Sequence, residues 1–382
     1  MTGNPMTGNP VTAGGEPDDD LKLLAETCAA VFGDHAGDRA GELAAPWDEG
    51  LWQVLAEAGL PLISVPEAAG GSGGSLAQAA VVLTAAGEYA ARVPLAETAL
   101  LGGWLLADAG LEIPAGPLVA VAALPERAGP GHAGLGSGAV SVARAAGGWS
   151  VRGRLPRVGW ARVAERVVVL ALAAGDEVAV ALRPDDVTVT PGANVAGEPR
   201  DGLAVDTVVD GAAVALVADG AGEVLRHRAA LARVLLIAGA MRRALDLTVR
   251  YAGEREQFGR SLSKLQAIQQ QIAVLAAETA AVRTAADAAL GRCAADGFAD
   301  PRARSAVAAA RVQAARGCTA AARIAHQVHG AIGFTDEHSL RLTTTRLWAW
   351  RDEAGSPADW SAELGRHVLA GGGLWGLLAE DG

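Results

Sequence analysis

Two stretches far apart in the chain carry side chains that could hold a phosphorylated ligand. The first is Tyr251-Ala-Gly-Glu-Arg255-Glu-Gln257-Phe258-Gly259-Arg260, followed by Leu265-Gln266-Ala267-Ile268-Gln269. The second is Gln327-Val-His329-Gly330-Ala-Ile-Gly333-Phe334. An arginine offers a planar fork of donors suited to a diphosphate. Glycines let a backbone come close to a ligand. The plain alternative is that Arg255 pairs with Glu254 or Glu256 on a solvated helix end, where such pairs contribute only about 0–1 kcal/mol.

Helices must position these residues. Leu265, Ile268, Ile272 and Leu275 advance by three or four, with Ala276 four after Ile272, which puts them on one buried helix face. Leu231, Leu235, Ala238, Met241, Leu245 and Val249 do the same ahead of the first stretch. The spacing predicts helices over Leu231 to Tyr251, Leu262 to Leu290, Pro301 to Val328, Thr335 to Trp350 and Asp359 to Leu369. Pro301 suits a first helical position. Long Ala-rich helices with short turns read as a four-helix-bundle-like domain over 219–382.

Ahead of it, 112–218 changes texture. Short β-branched runs such as Arg166-Val-Val-Val-Leu-Ala-Leu and Glu177-Val-Ala-Val-Ala-Leu alternate with Gly, Pro and Asp. That predicts a small antiparallel β-barrel or sandwich. Residues 18–111 read as an N-terminal helical domain, with helices over Ser75 to Ala91 and Pro94 to Gly110. Its glycine-rich turn, Pro66-Glu-Ala-Ala-Gly70-Gly71-Ser-Gly73-Gly74, lacks the Lys-Ser/Thr of a phosphate loop. Residues 1–17 read as a disordered tail. The fold class is therefore mainly α with a small β-domain.

The Arg-x-Gln-Phe-Gly and Gln-x-His-Gly-x-x-Gly-Phe motifs, in this order and spacing, resemble the C-terminal domain of acyl-CoA dehydrogenases. The turn Val65-Pro66-Glu67-Ala-Ala-Gly70-Gly71-Ser-Gly73 is similar to one joining that family's N-terminal helices. The resemblance implies a flavoenzyme with FAD as cofactor, acting on the α and β carbons of an acyl-CoA thioester. It implies that Arg255, Gln257, Phe258, Leu262, Gln266, Gln327, Gly330 and Gly333 reach across an interface to the adenosine diphosphate half of a neighbour's FAD.

The chain also departs from that pattern. Where the family has side chains for the flavin ring, it has Ala122-Ala-Leu-Pro125-Glu126-Arg127-Ala-Gly-Pro130-Gly-His132. In the next landmark, Val151 to Ala161, Arg154 replaces a Lys and no Thr or Asn follows Trp160. A buried flavin ring needs partners for its polar edge. The catalytic base of the family is a Glu at one of two places, which correspond here to Ala354 and Ala232. Glu353 is then the candidate base, through a shifted turn. Alternatively Glu353 and Asp352 are solvated acids beside Arg351. His329 and His338 are further candidates, or simply bundle residues. The pattern resembles hetero-oligomers in which a paralogue brings the base and the flavin cradle. The other readings are a non-catalytic structural partner and a standalone enzyme using Glu353.

Composition narrows the remaining classes. Hydrophobic residues are 51% and charged residues 20%, ample for a large core. A net charge of -11 argues against nonspecific nucleic-acid binding. Cys28, Cys293 and Cys318 show no metal-ligand spacing and read as buried thiols in a reducing cytoplasm. No apolar run is long enough to span a bilayer.

Overall fold

The computed structural model describes residues 18–36, 47–124, 139–335 and 338–370. The proposed tail at 1–17 and most of the Ala122 to His132 segment lie outside them. The N-terminal helices are α1 (Asp18–Ala36), α2 (Glu49–Glu57), α3 (Leu76–Glu88) and α4 (Gly103–Asp108). Ser75 and Gln78 form a reciprocal capping box at the start of α3, satisfying two otherwise orphaned donors. A wide π-helical turn, Glu97–Gly102, runs straight into α4. Such turns interrupt a helix and re-aim its side chains.

The middle region holds β1 (Leu118–Ala122), β2 (Ala139–Ala145), β3 (Gly148–Gly159), β4 (Arg166–Ala173), β5 (Asp176–Leu182), β6 (Val187–Thr190), β7 (Arg200–Val209) and β8 (Val214–Leu216). They form two four-stranded sheets, in the orders β1-β4-β5-β8 and β2-β3-β7-β6, not closed into a barrel. The pairing is antiparallel except between β1 and β4, which run parallel. The uninterrupted apolar run of β4 has a physical cause. Val167 and Val169 face the core between the sheets, while Val168 and Leu170 face the helices. A strand buried on both faces does not alternate.

The C-terminal helices are α5 (Ala221–Glu254), α6 (Gln266–Asp296), α7 (Pro301–His329), α8 (Leu340–Arg351) and α9 (Pro357–Ala370). A two-residue hairpin, β9 (Glu256–Gln257) with β10 (Arg260–Ser261), joins α5 to α6. α5 starts ten residues before the expected Leu231, because Gly220 in the left-handed region breaks from the β-region and Glu177 caps the helix at the Gly222 amide. Pro301 opens α7 with Asp300 as its cap. Among the described residues, no helix is long and apolar enough to cross a membrane.

α5 is the central rod, and α3 lies against it at very short range. A Cβ added at Gly239 would sit 1.9 Å from the Thr84 carbonyl oxygen. Gly239→Ala should therefore destabilise the chain by about 1–3 kcal/mol through overpacking. A lowered urea midpoint is the expected result; an unchanged midpoint would contradict this contact.

Candidate active-site crease and cofactor face

The N-terminal helices, the β-region and the C-terminal bundle meet in one crease. The turn between α8 and α9 delivers Glu353 to it. Arg311 of α7 fixes that turn, one terminal nitrogen donating to the carbonyls of Arg351, Glu353 and Gly355 at 3.0, 2.7 and 3.2 Å. The Trp360 indole donates to the Ala354 carbonyl at 2.8 Å.

Four donors close on the Glu353 carboxylate. Arg200, at the start of β7, binds it bidentately at 2.8 and 2.7 Å. Arg233 of α5 lies at 3.0 Å, and the Asn194 amide donates at 3.0 Å. Asn194 also accepts from the backbone amides of Ala196 and Glu198, holding the loop before β7 rigid. Glu198 accepts from Arg200 at 3.2 Å and from the Trp350 indole at 2.9 Å. It lies 3.3 Å from Arg346. Arg233 reaches back to Glu97, in the wide turn before α4, at 2.6 Å. Three acids thus face three arginines, while a fourth, Arg311, binds only backbone carbonyls.

Chemically this network is inert. Burial alone would raise the Glu353 ionisation, but Arg200 and Arg233 more than cancel it and hold the carboxyl at about 2. A general base works best with a pKa near the operating pH and an open lone pair. The space left beside the network, under Trp160, Leu236 and Trp350, is about 20 Å³. That is room for roughly one water, whereas small-molecule sites run to about 300–1,000 Å³. Among the described residues, this space beside Glu353 holds neither a flavin ring nor a thioester.

The expectation that Glu353 is solvated beside Arg351 is corrected. Its side chain is 11% exposed, and Arg351 pairs instead with exposed Asp352 at 2.9 Å. Ala232 and Ala354 are buried and bring no carboxylate to the crease. His329 stacks on Tyr251 with ring centroids 4.5 Å apart, and its Nδ1 bonds the Ala325 carbonyl. His338 packs edge-on against both rings. These histidines belong to the far end of the bundle.

The same stacking brings the two sequence motifs to that one end. Tyr251 precedes Arg255 by one helical turn, and His329 follows Gln327. The β9–β10 hairpin lifts Phe258 into solvent, 87% exposed, in a left-handed conformation followed by Gly259. Leu262 is buried and anchors the hairpin, with its amide bonded to the Arg255 carbonyl at 2.8 Å. Gln266 opens α6, and Gln327 is exposed near the end of α7. Gly330 ends α7 with φ 64° and ψ -144°, a conformation open to glycine. Gly333 is buried in the next turn. Among the described residues, Arg255, Gln257, Gln266 and Gln327 make no side-chain hydrogen bond or ion pair. The alternative pairing of Arg255 with Glu254 or Glu256 does not occur. An exposed arginine and three free amides suit the diphosphate and adenosine end of a flavin nucleotide.

Family models for the N-terminal and C-terminal domains of acyl-CoA dehydrogenases match residues 18–112 and 205–351. The chain is 30% identical to benzylmalonyl-CoA dehydrogenase of Aromatoleum aromaticum over 294 residues, covering 70% of this chain and 77% of that protein. This chain belongs to the acyl-CoA dehydrogenase family. Acyl-CoA dehydrogenase IpdE2 of Mycolicibacterium smegmatis is 29% identical over 360 residues, 92% of this chain and 99% of its own length. The crystal structure of the ChsE4-ChsE5 complex from Mycobacterium tuberculosis contains a chain with a TM-score of 0.80 and 25% identity, aligned over 94% of this chain and 98% of that one.

Against this family of FAD-dependent oxidoreductases, the unexpected residues are Arg200, Arg311, Asn194, Glu198 and Glu97. The only sequence signal was the polar string Asn194-Val-Ala-Gly-Glu198-Pro-Arg200-Asp201 inside an apolar β-region.

Removing one partner of a buried pair costs more than the pair contributes. Arg200→Met should lose about 3–5 kcal/mol, because Glu353 and Glu198 stay buried and charged. Adding Glu353→Gln should recover part of that loss; full additivity in a double-mutant cycle would contradict the coupling.

The network also sets an acid limit. Glu353 is held at about 2 against an ordinary 4.5, and so is Glu363, despite its burial, by His227 and Arg226. A depressed carboxyl contributes stability that is fully present above about 4.5 and is lost as pH falls toward 2. Urea midpoints should therefore drop between pH 5 and about 2, and less steeply in Glu353→Gln. An equal slope in the variant would contradict the assignment.

Proposed function

We propose that this chain is one subunit of a hetero-oligomeric, FAD-dependent acyl-CoA dehydrogenase whose paralogous partner carries the base and the flavin-ring cradle. In this reading Arg255, Gln257, Phe258, Leu262, Gln266, Gln327, Gly330 and Gly333 form the face offered to the adenosine diphosphate half of a cofactor seated in the partner. Arg255 neutralises the diphosphate. Phe258 gives adenine an apolar surface, and the turn after Gly330 supplies backbone donors. When bound, the flavin supplies the hydride acceptor for an acyl-CoA thioester.

The observation that carries the proposal is the closed crease. Taking a proton from the α carbon needs a carboxylate with a free oxygen, and both oxygens of Glu353 are committed to arginines. Glu353 is accordingly a strut between the β-region and the bundle. The relative found in the ChsE4-ChsE5 complex assembles from two chains, in keeping with a heteromer. The second reading, a structural subunit without cofactor contacts, differs only in the work given to Arg255. The four unpartnered polar side chains at that end favour the cofactor.

The test is co-expression with a Glu-bearing paralogue. The chain alone should purify colourless, and the complex should be yellow and bleached by an acyl-CoA. Arg255→Ala should weaken FAD binding by the complex about tenfold or more, the loss of one charge-assisted contact. Glu353→Gln should leave turnover per bound flavin unchanged. A chain that holds FAD alone and turns over would contradict the proposal, as would abolition of turnover by Glu353→Gln.

A further inference from the structure

A second cleft, of about 460 Å³, lies between α4, the start of α5 and the end of α6. It shares no lining residue with the crease. Its size falls within the usual range of small-molecule sites, about 300–1,000 Å³. Leu76, Val224, Trp104 and Phe298 give it apolar walls, and Arg228 and Arg304 give it positive charge.

Arg228 is held in an unusual way. Its guanidinium carbon lies 4.5 Å from the centre of the Trp104 ring and 4.4 Å from that of Phe298. Aromatic faces on the guanidinium stabilise the cation but leave its in-plane N–H edge free for a ligand. Among the described residues, its one hydrogen bond is a long contact of 3.5 Å to the Leu100 carbonyl. Its Nε is buried without a partner. Arg200, Arg226 and Arg233 each have a carboxylate in contact, and Arg228 has none. Burial pulls its ionisation down to about 9, yet it remains a cation at neutral pH. The Asp108 charge supports it only from beyond contact, and a desolvated cation without a carboxylate in contact is costly to the fold.

Arg304 donates from Nε to the Phe298 carbonyl at 3.2 Å, fixing the aromatic wall. The start of α5 is not the anion receptor, because Glu177 already caps the Gly222 amide. Asp108 and Asp219 also line the cleft. Their charge disfavours phosphates and other multiply charged anions.

We propose that this cleft binds a small organic monocarboxylate with an apolar body. The carboxylate meets the Arg228 guanidinium, and the hydrocarbon lies against Trp104 and Phe298. The site is independent of the crease and of the cofactor face.

The test uses the full chain with three probes: hexanoate, neutral hexanamide and inorganic phosphate. Hexanoate should raise the thermal midpoint and change tryptophan fluorescence, while hexanamide and phosphate at equal concentration should do neither. Arg228→Gln should weaken hexanoate at least about tenfold, and Arg228→Lys less. Trp104→Phe keeps the apolar wall, so it should keep binding but lose most of the fluorescence change. Equal binding of hexanoate and hexanamide would overturn the proposal. So would no hexanoate binding at high millimolar concentration, or an undiminished fluorescence response in Trp104→Phe.

Discussion

One carboxylate between two guanidinium groups holds the three parts of this molecule in register. Glu353 comes from the bundle, Arg200 from the β-region and Arg233 from the central rod, with Glu97 of the N-terminal helices bound to Arg233. Desolvating so many charges is expensive, and such networks are rarely net sources of stability over a well-packed apolar equivalent. What they provide is geometric demand. Each member is intolerable without its partners, so the parts have one way to dock.

The same network decides what the crease can do. An enzyme of this kind needs, at the meeting point of its domains, a pocket for a ring and a thioester and a carboxylate with a free oxygen. Among the described residues, the space beside Glu353 is filled by paired side chains, under two tryptophans. The opposite design governs the far end of the bundle. There Arg255 and three amides stand in solvent with no partner of their own, around a hairpin that exposes Phe258. The crease pairs its three acids with arginines internally, and the other region leaves most of its polar side chains unpartnered. That asymmetry is what a subunit built to complete a neighbour's cofactor site would show.

The architecture was legible because it rests on periodicity. The bundle helices followed from apolar spacing, and the β-region from its β-branched runs. What periodicity could not reach was pairing. Parallel β1 and β4, and sheets that stay open, depend on contacts between strands far apart in sequence. The face proposed to meet the cofactor stood out as motif, since Arg255 and Gln327 sit in short strings with glycines. The crease did not. Glu353 looks like a surface acid in Arg351-Asp352-Glu353, and only the fold shows that Arg311 turns its backbone inward. Arg200 and Glu198 come together with it across some 150 positions of chain, a separation no local pattern records.

The central claim is that one of the two unlike subunits houses the flavin and this one only helps to hold it. The most direct measurement is the flavin count of the intact complex by native mass spectrometry. The account predicts one FAD for each pair made of this chain and its paralogue. One FAD for every chain would contradict it, because the crease around Glu353 would then have to open and accept a ring.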